Sequence, residues 1–346
     1  MSKAVVIGGA GFIGRRLVEM LAGNEPHPDW ARFDHVHVVD LAPATIAEGE
    51  APRVTTAKAD VRSHDDLRRA FEGADTVFHL ASVVDVGLKK SATIEPTNVG
   101  GARNVVAAAR EAGVRALVYT SSEDVLLSEI PVRGGDETMP YPARPIHDYV
   151  RTKIEGERIV LGADDPSGLR TLAIRPVHVY GPRDPHAIVT SLRAFAKGSV
   201  PFLLGNGEAL FDVVYVDNVV HAHLLAARAL HEAPHRVAGR PYIVNEDHAV
   251  NYFEWLRPYA ARKNVKMPRL RLGRRPTHAL ARAMGLVHRV TGLEVPFHSF
   301  HAHVIGEDFY FSSRRAKTEL GYTPIVSVED ARRRTLEWLD HVALEG

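Results

Sequence analysis

The sequence predicts an α/β fold: a doubly wound parallel sheet followed by a smaller C-terminal α/β lobe. Three observations predict it. A short apolar run, Val5-Val6-Ile7, breaks into the cluster Gly8-Gly9-Ala10-Gly11-Phe12-Ile13-Gly14 just before a helical pattern. Apolar strand-like runs then alternate with amphipathic helical stretches through residues 1–176, the rhythm of a parallel sheet with helices on both faces. Acids, Asp40 and Asp60, stand at the ends of the second and third strand-like runs. Together these read as a Rossmann-type domain over residues 1–176.

The glycines come first. Gly9, Gly11 and Gly14 fit G-x-G-x-x-G, and Gly8, Gly11 and Gly14 a looser G-x-x-G-x-x-G. A strand that turns sharply into a helix beside a pyrophosphate needs glycine, because backbone must come close to the phosphates. The helix N-terminus then offers unpaired N–H groups and a partial positive charge. An ordinary tight turn would use glycines too. The second strand, 35–40, tips the choice toward a dinucleotide: Asp40 at its end can accept bonds from an adenosine ribose and would repel a 2′-phosphate. That favours NAD over NADP. The gap from Gly14 to Asp40 exceeds the usual ~20 residues, and the Pro-rich polar stretch 23–34 accounts for it as a surface loop.

The later elements continue the pattern. Residues 53–61 read as a third strand, and Ser63 as the cap of a helix to about 71, with Asp65 and Asp66 in its first turn. A fourth strand follows at 76–81, a long helical pattern at 94–112 and a fifth strand at 117–120. A turn-rich loop spans 134–145, before a helix at 146–161 and a sixth strand at 169–174. Residues 177–346 read mostly as a substrate-binding lobe, with some segments returning to the first domain. Its helices fall near 188–197, 216–230, 252–262, 277–290 and 328–339, with short strands near 211–214 and 242–244.

Composition narrows the function. Of 346 residues, 45% are hydrophobic and 25% charged, and 43 Lys and Arg against 42 Asp and Glu leave a net charge of +1. Such balance argues against nucleic acid or an anionic membrane as the main partner. No apolar run approaches the ~18 residues of a membrane span, and no signal peptide is visible, so a cytoplasmic protein is expected. The absence of cysteine excludes disulfides and thiol catalysis.

In a doubly wound sheet, ligands gather beyond the strand carboxyl ends. Asp60, Ala81, Ser82, residues 120–122 and Pro176 all fall there. Near them, Tyr149 and Lys153 stand four apart, one turn up the same helix face. A phenol, with a reference pKa near 10, is a poor base at neutral pH, and a neighbouring ammonium with an oxidised nicotinamide favours its ionised form. Tyr149 can then exchange a proton with an alcohol or carbonyl while hydride moves. Ser122, at the tip of the fifth strand, can hold the substrate oxygen; Ser121 could do so instead.

The motifs resemble, in order, those of extended short-chain dehydrogenases/reductases: 7–14, Asp60-Val61, His79-Leu80-Ala81-Ser82, Asn98-Val99-Gly100-Gly101, Tyr119-Thr120-Ser121-Ser122, Tyr149-x-x-x-Lys153 and Arg175-Pro176. Ile7 stands where a threonine is usual, and Ser82 where an alanine is frequent. Segments 134–138, 175–184, 216–221 and 312–322 are most similar to the 3β-hydroxysteroid dehydrogenase branch, sterol 4α-carboxylate 3-dehydrogenases included. The resemblance implies catalysis by Ser122, Tyr149 and Lys153. It implies cofactor contacts from Gly8, Gly11, Phe12, Ile13, Asp40, Asp60, Val61, Leu80, Ala81, Tyr149, Lys153 and Pro176, a place for Asn98 near the central sheet, and a homodimer. The small apolar residues Val99, Ala102, Val105, Val106, Ala108 and Ala109 would permit close helix packing there.

The activity so implied is NAD-dependent oxidation of a secondary hydroxyl on a steroid, sterol or similarly apolar lipid. Spontaneous decarboxylation would follow if a carboxylate lies β to the new ketone, and Lys89 or Lys90 could recognise that carboxylate. A sugar-nucleotide epimerase or dehydratase of the same superfamily is the main alternative. Those enzymes resemble one another in an arginine that grips a diphosphate, where this chain reads Leu210-Phe211-Asp212. Arg183 or Arg193 could substitute. A non-catalytic NAD(P)-binding regulator is the alternative of another class; such proteins usually lose the tyrosine or lysine. No metal is expected: His298, His301 and His303 lack an acid or cysteine at ligand spacing. The basic amphipathic stretch 269–290 reads as a lobe helix with a solvated face, so membrane contact would be at most peripheral.

Overall fold

The structure, a computed structural model, describes residues 2–23, 27–43, 54–89, 91–185, 187–295 and 297–344. Arg53 of the expected third strand, Lys90 and residues 24–26 of the expected surface loop lie outside the described residues.

The chain begins with β1 (Lys3–Ile7), α1 (Phe12–Ala22), β2 (His35–Asp40), β3 (Val54–Lys58), α2 (His64–Ala70) and β4 (Thr76–His79). A π-helical turn, Pro96–Gly100, runs into α3 (Gly101–Glu111), followed by β5 (Ala116–Thr120), β6 (Val132–Gly135), α4 (Asp148–Leu161) and β7 (Arg170–Pro176). Then come β8 (His178–Tyr180), α5 (Ile188–Ala196), β9 (Leu210–Phe211), β10 (Val213–Tyr215), α6 (Val216–Glu232), the short α7 (Pro234–Val237) and β11 (Arg240–Val244). The last elements are β12 (Val250–Asn251), α8 (Tyr252–Arg262), α9 (Arg274–Thr291), α10 (Ser299–Val304), β13 (Phe309–Phe311) and α11 (Val328–Asp340).

Seven parallel strands form the central sheet in the order β11-β7-β5-β4-β1-β2-β3. The order reverses between β1 and β4, opening a crevice beyond their carboxyl ends. Because side chains alternate across a strand, each strand supplies both layers. Val5, Ile7, Val39, Val77 and Leu117 pack with Leu67 of α2 and Val105 of α3, while Val6, Val38, Phe78 and Val118 pack with Leu17 of α1 and Val220 of α6.

Two elements beyond residue 176 thus belong to this layer: α6 covers β5 and β7, and β11 closes the open edge of β7. β13 and residues 316–322 also join the sheet's core, while much of the remaining C-terminal half builds a core of its own, rich in rings. Phe211 lies 5.6 Å from His178, 5.3 Å from Tyr252 and 6.0 Å from Trp255, between ring centroids.

Two features depart from sequence expectation. The stretch 134–145, read as a loop, starts with the end of β6, which pairs with β13 from far along the chain. Strands this short carry no periodicity of their own. The small apolar residues of the 94–112 stretch, Val99, Ala102, Val105, Val106, Ala108 and Ala109, are all buried within the chain. They pack against the protomer's own sheet and neighbouring helices, leaving Arg103, Arg110 and Glu111 outward. Among the described residues, no helix is long and apolar enough to cross a membrane.

Candidate active site

β1 delivers the glycine turn to the crevice. Gly8 has φ +83°, and a Cβ there would sit 2.6 Å from the Ala81 nitrogen. At Gly14 a Cβ would lie 2.0 Å from the Gly8 carbonyl oxygen. Glycine is therefore needed at both ends of the turn, for its left-handed backbone at Gly8 and for close helix–turn packing at Gly14. Gly11 is the N-cap of α1 and supplies no side-chain acceptor, so the first turn of this helix, Phe12-Ile13-Gly14, keeps its orphan N–H groups for a ligand. Phe12 and Ile13 also pack toward the aromatic core of the C-terminal lobe.

Asp40 sits against this turn. Its Oδ2 accepts from the Ala10 N–H at 3.0 Å and its Oδ1 from Ala42 N–H at 3.0 Å, leaving lone pairs for a ribose. Leu80 and Ala81 hydrogen-bond through their N–H groups to the Ile7 carbonyl, which seats the end of β4 beside Gly8. Val61 is buried, and its carbonyl accepts from Asn104 at 3.0 Å. Asp60 is engaged by Arg62, whose Nε lies 2.9 Å from both carboxylate oxygens; this pairing holds the carboxyl below its usual range. An uncapped helix start, a turn that only glycine fits and an adjacent acid together suit the pyrophosphate and adenosine ribose of a dinucleotide.

At the other end of the crevice Ser122, Tyr149 and Lys153 are all buried, with Ser122 hydrogen-bonded to Tyr149, and Pro176 ends β7. His147 caps α4, its Nδ1 accepting from the Tyr149 N–H at 3.1 Å while Nε2 contacts the Gly87 carbonyl at 2.9 Å. Asn98 ties the loop after β4 to α4: its Oδ1 accepts from Val83 N–H at 2.8 Å, and its Nδ2 donates to Val83 O and Thr152 Oγ1, both at 3.1 Å. A buried ion pair fastens α4 to β7, with Arg175 Nε 3.0 Å and Nη2 2.5 Å from the Glu157 carboxylate. Tyr141 donates to the same carboxylate at 2.5 Å.

Sequence reasoning missed two side chains here. Ser122 Oγ lies 3.0 Å from Glu123 Oε2 and 3.1 Å from Asp124 Oδ2, and its single proton can serve only one of them. Burial pushes Asp124 up to about 6 and raises Glu123 well above the carboxylate range, the latter also repelled by Asp124. Two acids directly after a serine at a strand end were the available signal. Ser121, the alternative to Ser122, is buried with its hydroxyl unpartnered among the described residues.

The expected lowering of the Tyr149 pKa is corrected by this environment. Burial raises the phenol well above its ordinary value, Asp124 and Glu123 push the same way, and the Ser122 hydrogen bond opposes them. The Lys153 ammonium donates instead to the Thr120 carbonyl at 2.6 Å and lies 4.8 Å over the Tyr119 ring. Burial lowers Lys153 to about 8, against the attraction of Glu157 and Asp124.

The sequence profile of the 3-beta hydroxysteroid dehydrogenase/isomerase family matches residues 5–272, from within β1 to just before α9. The chain belongs to this family. It is 33% identical over 346 residues to the bovine (Bos taurus) sterol-4-alpha-carboxylate 3-dehydrogenase, decarboxylating, covering 98% of this chain and 93% of that one. With a 3 beta-hydroxysteroid dehydrogenase/Delta 5→4-isomerase of Mycobacterium tuberculosis it shares 31% identity, over 98% of this chain and 90% of the relative. Among solved structures, DesIV, a dTDP-glucose 4,6-dehydratase from Streptomyces venezuelae with NAD bound, superposes with a TM-score of 0.74 at 22% identity, covering 98% and 97% of the two chains. That likeness extends to the fold of the extended short-chain dehydrogenases.

Other sequence candidates of this 3β-hydroxysteroid dehydrogenase family member are engaged elsewhere. Arg183 pairs with Glu19 at 2.9 Å, and Arg193 donates to the Ala343 carbonyl at 3.2 Å. His298 contacts the Val86 carbonyl at 2.7 Å and meets His301 edge-on, whereas His303 faces His278 at 4.6 Å. Among the described residues, no three His, Asp or Glu side chains gather as a metal site. Lys89 is exposed.

Proposed function

We propose that the protein oxidises a secondary hydroxyl of a steroid, sterol or similarly apolar lipid to a ketone, with NAD rather than NADP as acceptor. The observation that carries this reading is the buried meeting of Ser122 and Tyr149 at the tip of β5, with Lys153 fixed to the carbonyl of the same strand end. Family membership and the names of the relatives support it.

When bound, the nicotinamide accepts the hydride. The chain's own groups move the proton. Ser122 orients the hydroxyl oxygen, and Tyr149 takes its proton. Lys153, held at Thr120 O, adds a positive charge in a low-dielectric pocket, where it favours the phenolate. Gly8, Gly11, Phe12, Ile13, Asp60, Val61, Leu80, Ala81 and Pro176 would hold the dinucleotide, and Asp40 would select against a 2′-phosphate. A substrate with a carboxylate β to the new ketone would lose carbon dioxide without further catalytic groups, and Lys89 or Lys90 would recognise that carboxylate.

The buried Phe211 ring supports an apolar substrate, since it occupies the place of a diphosphate-gripping arginine. We assign the protein to the cytoplasm as a homodimer with at most peripheral membrane contact; sedimentation at micromolar concentration tests the dimer. The activity is tested by incubating the protein with NAD or NADP and a panel of sterols, 3-hydroxysteroids, 3-oxo acids and sugar nucleotides, following the reduced cofactor by absorbance. Turnover of hydroxysteroids or sterols with NAD is expected. Turnover confined to sugar nucleotides would overturn the substrate class, and equal use of NADP the role of Asp40.

A further inference from the structure

We propose that His147 and His298 are positioning residues: together they latch the loop after β4 to the helix that carries Tyr149 and to the C-terminal lobe. This loop, residues 80–89, has neither helix nor strand and leaves the sheet at the crevice. Leu80 and Ala81 are seated by the Ile7 carbonyl. Beyond them, among the described residues, the backbone of 82–89 makes no hydrogen bond to other backbone.

Side chains hold it instead, as half-buried backbone requires partners. Asn98 takes Val83 by its N–H at 2.8 Å and its carbonyl at 3.1 Å. Asp85 Oδ1 accepts from the Gly87 N–H at 2.9 Å. His298, the N-cap of α10, reaches the Val86 carbonyl at 2.7 Å, and His147, the N-cap of α4, the Gly87 carbonyl at 2.9 Å. Two adjacent carbonyls are thus held by two imidazoles from opposite halves of the chain.

The bonds fix the protons. A carbonyl only accepts, so both Nε2 atoms donate, and His147 Nδ1, accepting from the Tyr149 N–H at 3.1 Å, carries no proton. One neutral ring therefore joins the start of α4 to the loop. Burial pushes His298 down to about 4, and His147 and His288 nearby oppose a charge there too, so it also stays neutral. The two rings stack, 5.8 Å between centroids and 22° apart in plane, and Phe300 of α10 lies edge-on to His147 at 5.8 Å. Each ring thereby orders the other. Capping alone does not explain a histidine at 147, since a helix start needs only a short acceptor, best supplied by Asn, Asp, Ser or Thr. The far nitrogen, which meets the loop, does explain it.

Tyr149 stands two residues beyond His147, so the latch sets the spacing between that phenol and the loop wall of the crevice. A shift of about 1 Å there costs up to ~10²-fold in rate. This consequence rests on the proposed role of Tyr149; the latch itself does not.

The test separates latching from capping. His147→Asn keeps a cap acceptor but is too short to reach Gly87, and His298→Leu removes the donor to Val86. Hydrogen exchange of the full chain, read by mass spectrometry without substrate or cofactor, should be about fivefold or more faster at 82–89 in either variant. Melting curves of His147→Asn should match the parent, whereas His147→Leu, with no cap, should melt lower. His298→Gln, whose amide still donates, should recover part of the loop's protection. In turnover, both single variants should raise KM, and the double variant should lose less than the product of the single losses, because both act on one loop. Parent-like loop exchange in His147→Asn overturns the proposal, since the ring is then only a cap. So does faster exchange with unchanged KM and kcat, or fully multiplicative losses. A mobile loop in the variants together with full turnover by Tyr149→Phe would leave the latch standing and remove the role of the tyrosine.

Discussion

Two helices with similar-looking sequence patterns, α4 and α9, end in opposite situations. α4 has 14 residues and buries eight of them, including Thr152, Lys153 and Glu157, each with a partner inside the chain. α9 has 18 and buries two. Both are amphipathic, and both carry cations. The difference lies in what meets the second face: on α4, a sheet, the loop after β4 and a buried arginine; on α9, solvent. Amphipathic periodicity tells that a helix has a face to cover, and only the neighbours decide whether the chain itself covers the rest.

The largest expected effect falls on α4. Tyr149→Phe keeps the ring and its packing and removes the hydroxyl proposed to exchange the proton, so turnover should drop by about 10²–10⁴-fold while NAD affinity, measured by titration, stays near that of the parent. A variant with near-full turnover would break the proposed mechanism.

Next comes the brace that aims this helix. Glu157→Ala leaves the Arg175 guanidinium, buried beside it, without its counter-charge, and should cost about 3–5 kcal/mol in urea unfolding. Leu286→Ser with Val290→Ser on α9 should shift stability far less, because exposed side chains lose no packing. Comparable losses on the two helices would erase the contrast between them.

The smallest effect is a shift in pH dependence. Asp124 and Glu123 both raise the Tyr149 pKa, so Asp124→Asn should move the alkaline rise of turnover toward lower pH. Its stability signature has the opposite origin. The carboxyl of Asp124 is raised to about 6, so it favours the fold fully below the ordinary carboxylate range and loses that contribution as pH rises through 6. The asparagine variant should therefore gain stability relative to the parent between pH 4 and 8 in thermal melts. An unchanged pH profile would show that the acid pair does not act on the tyrosine.

Much of the site was legible because its chemistry is local. The glycine turn, Asp40 at the end of β2, Ser122 at the tip of β5 and the Tyr149–Lys153 spacing each depend on residues within one strand–turn–helix unit, and backbone geometry at such units permits few side chains. Ser63 as the cap of α2 was readable for the same reason, its hydroxyl accepting from the Asp66 N–H at 3.3 Å. The carboxyls around Ser122 were visible as letters but not as buried groups, since burial is set by elements distant in sequence. The apolar side chains of α3 misled in the same way: spacing showed a face, and the protomer's own sheet claimed it.

By itself, then, the sequence determined the doubly wound sheet, the crevice at its carboxyl ends and the side chains gathered there, because strand and helix periodicity and turn chemistry act over a few residues. Only the tertiary structure decided that β11 and α6 rejoin the central sheet, that β6 pairs with β13, that Tyr149 lies beside two buried acids that raise its pKa, and that α9 keeps an apolar face outward. Each of these depends on which distant segments meet, and so on the desolvation and charge they impose on one another, which no local pattern encodes.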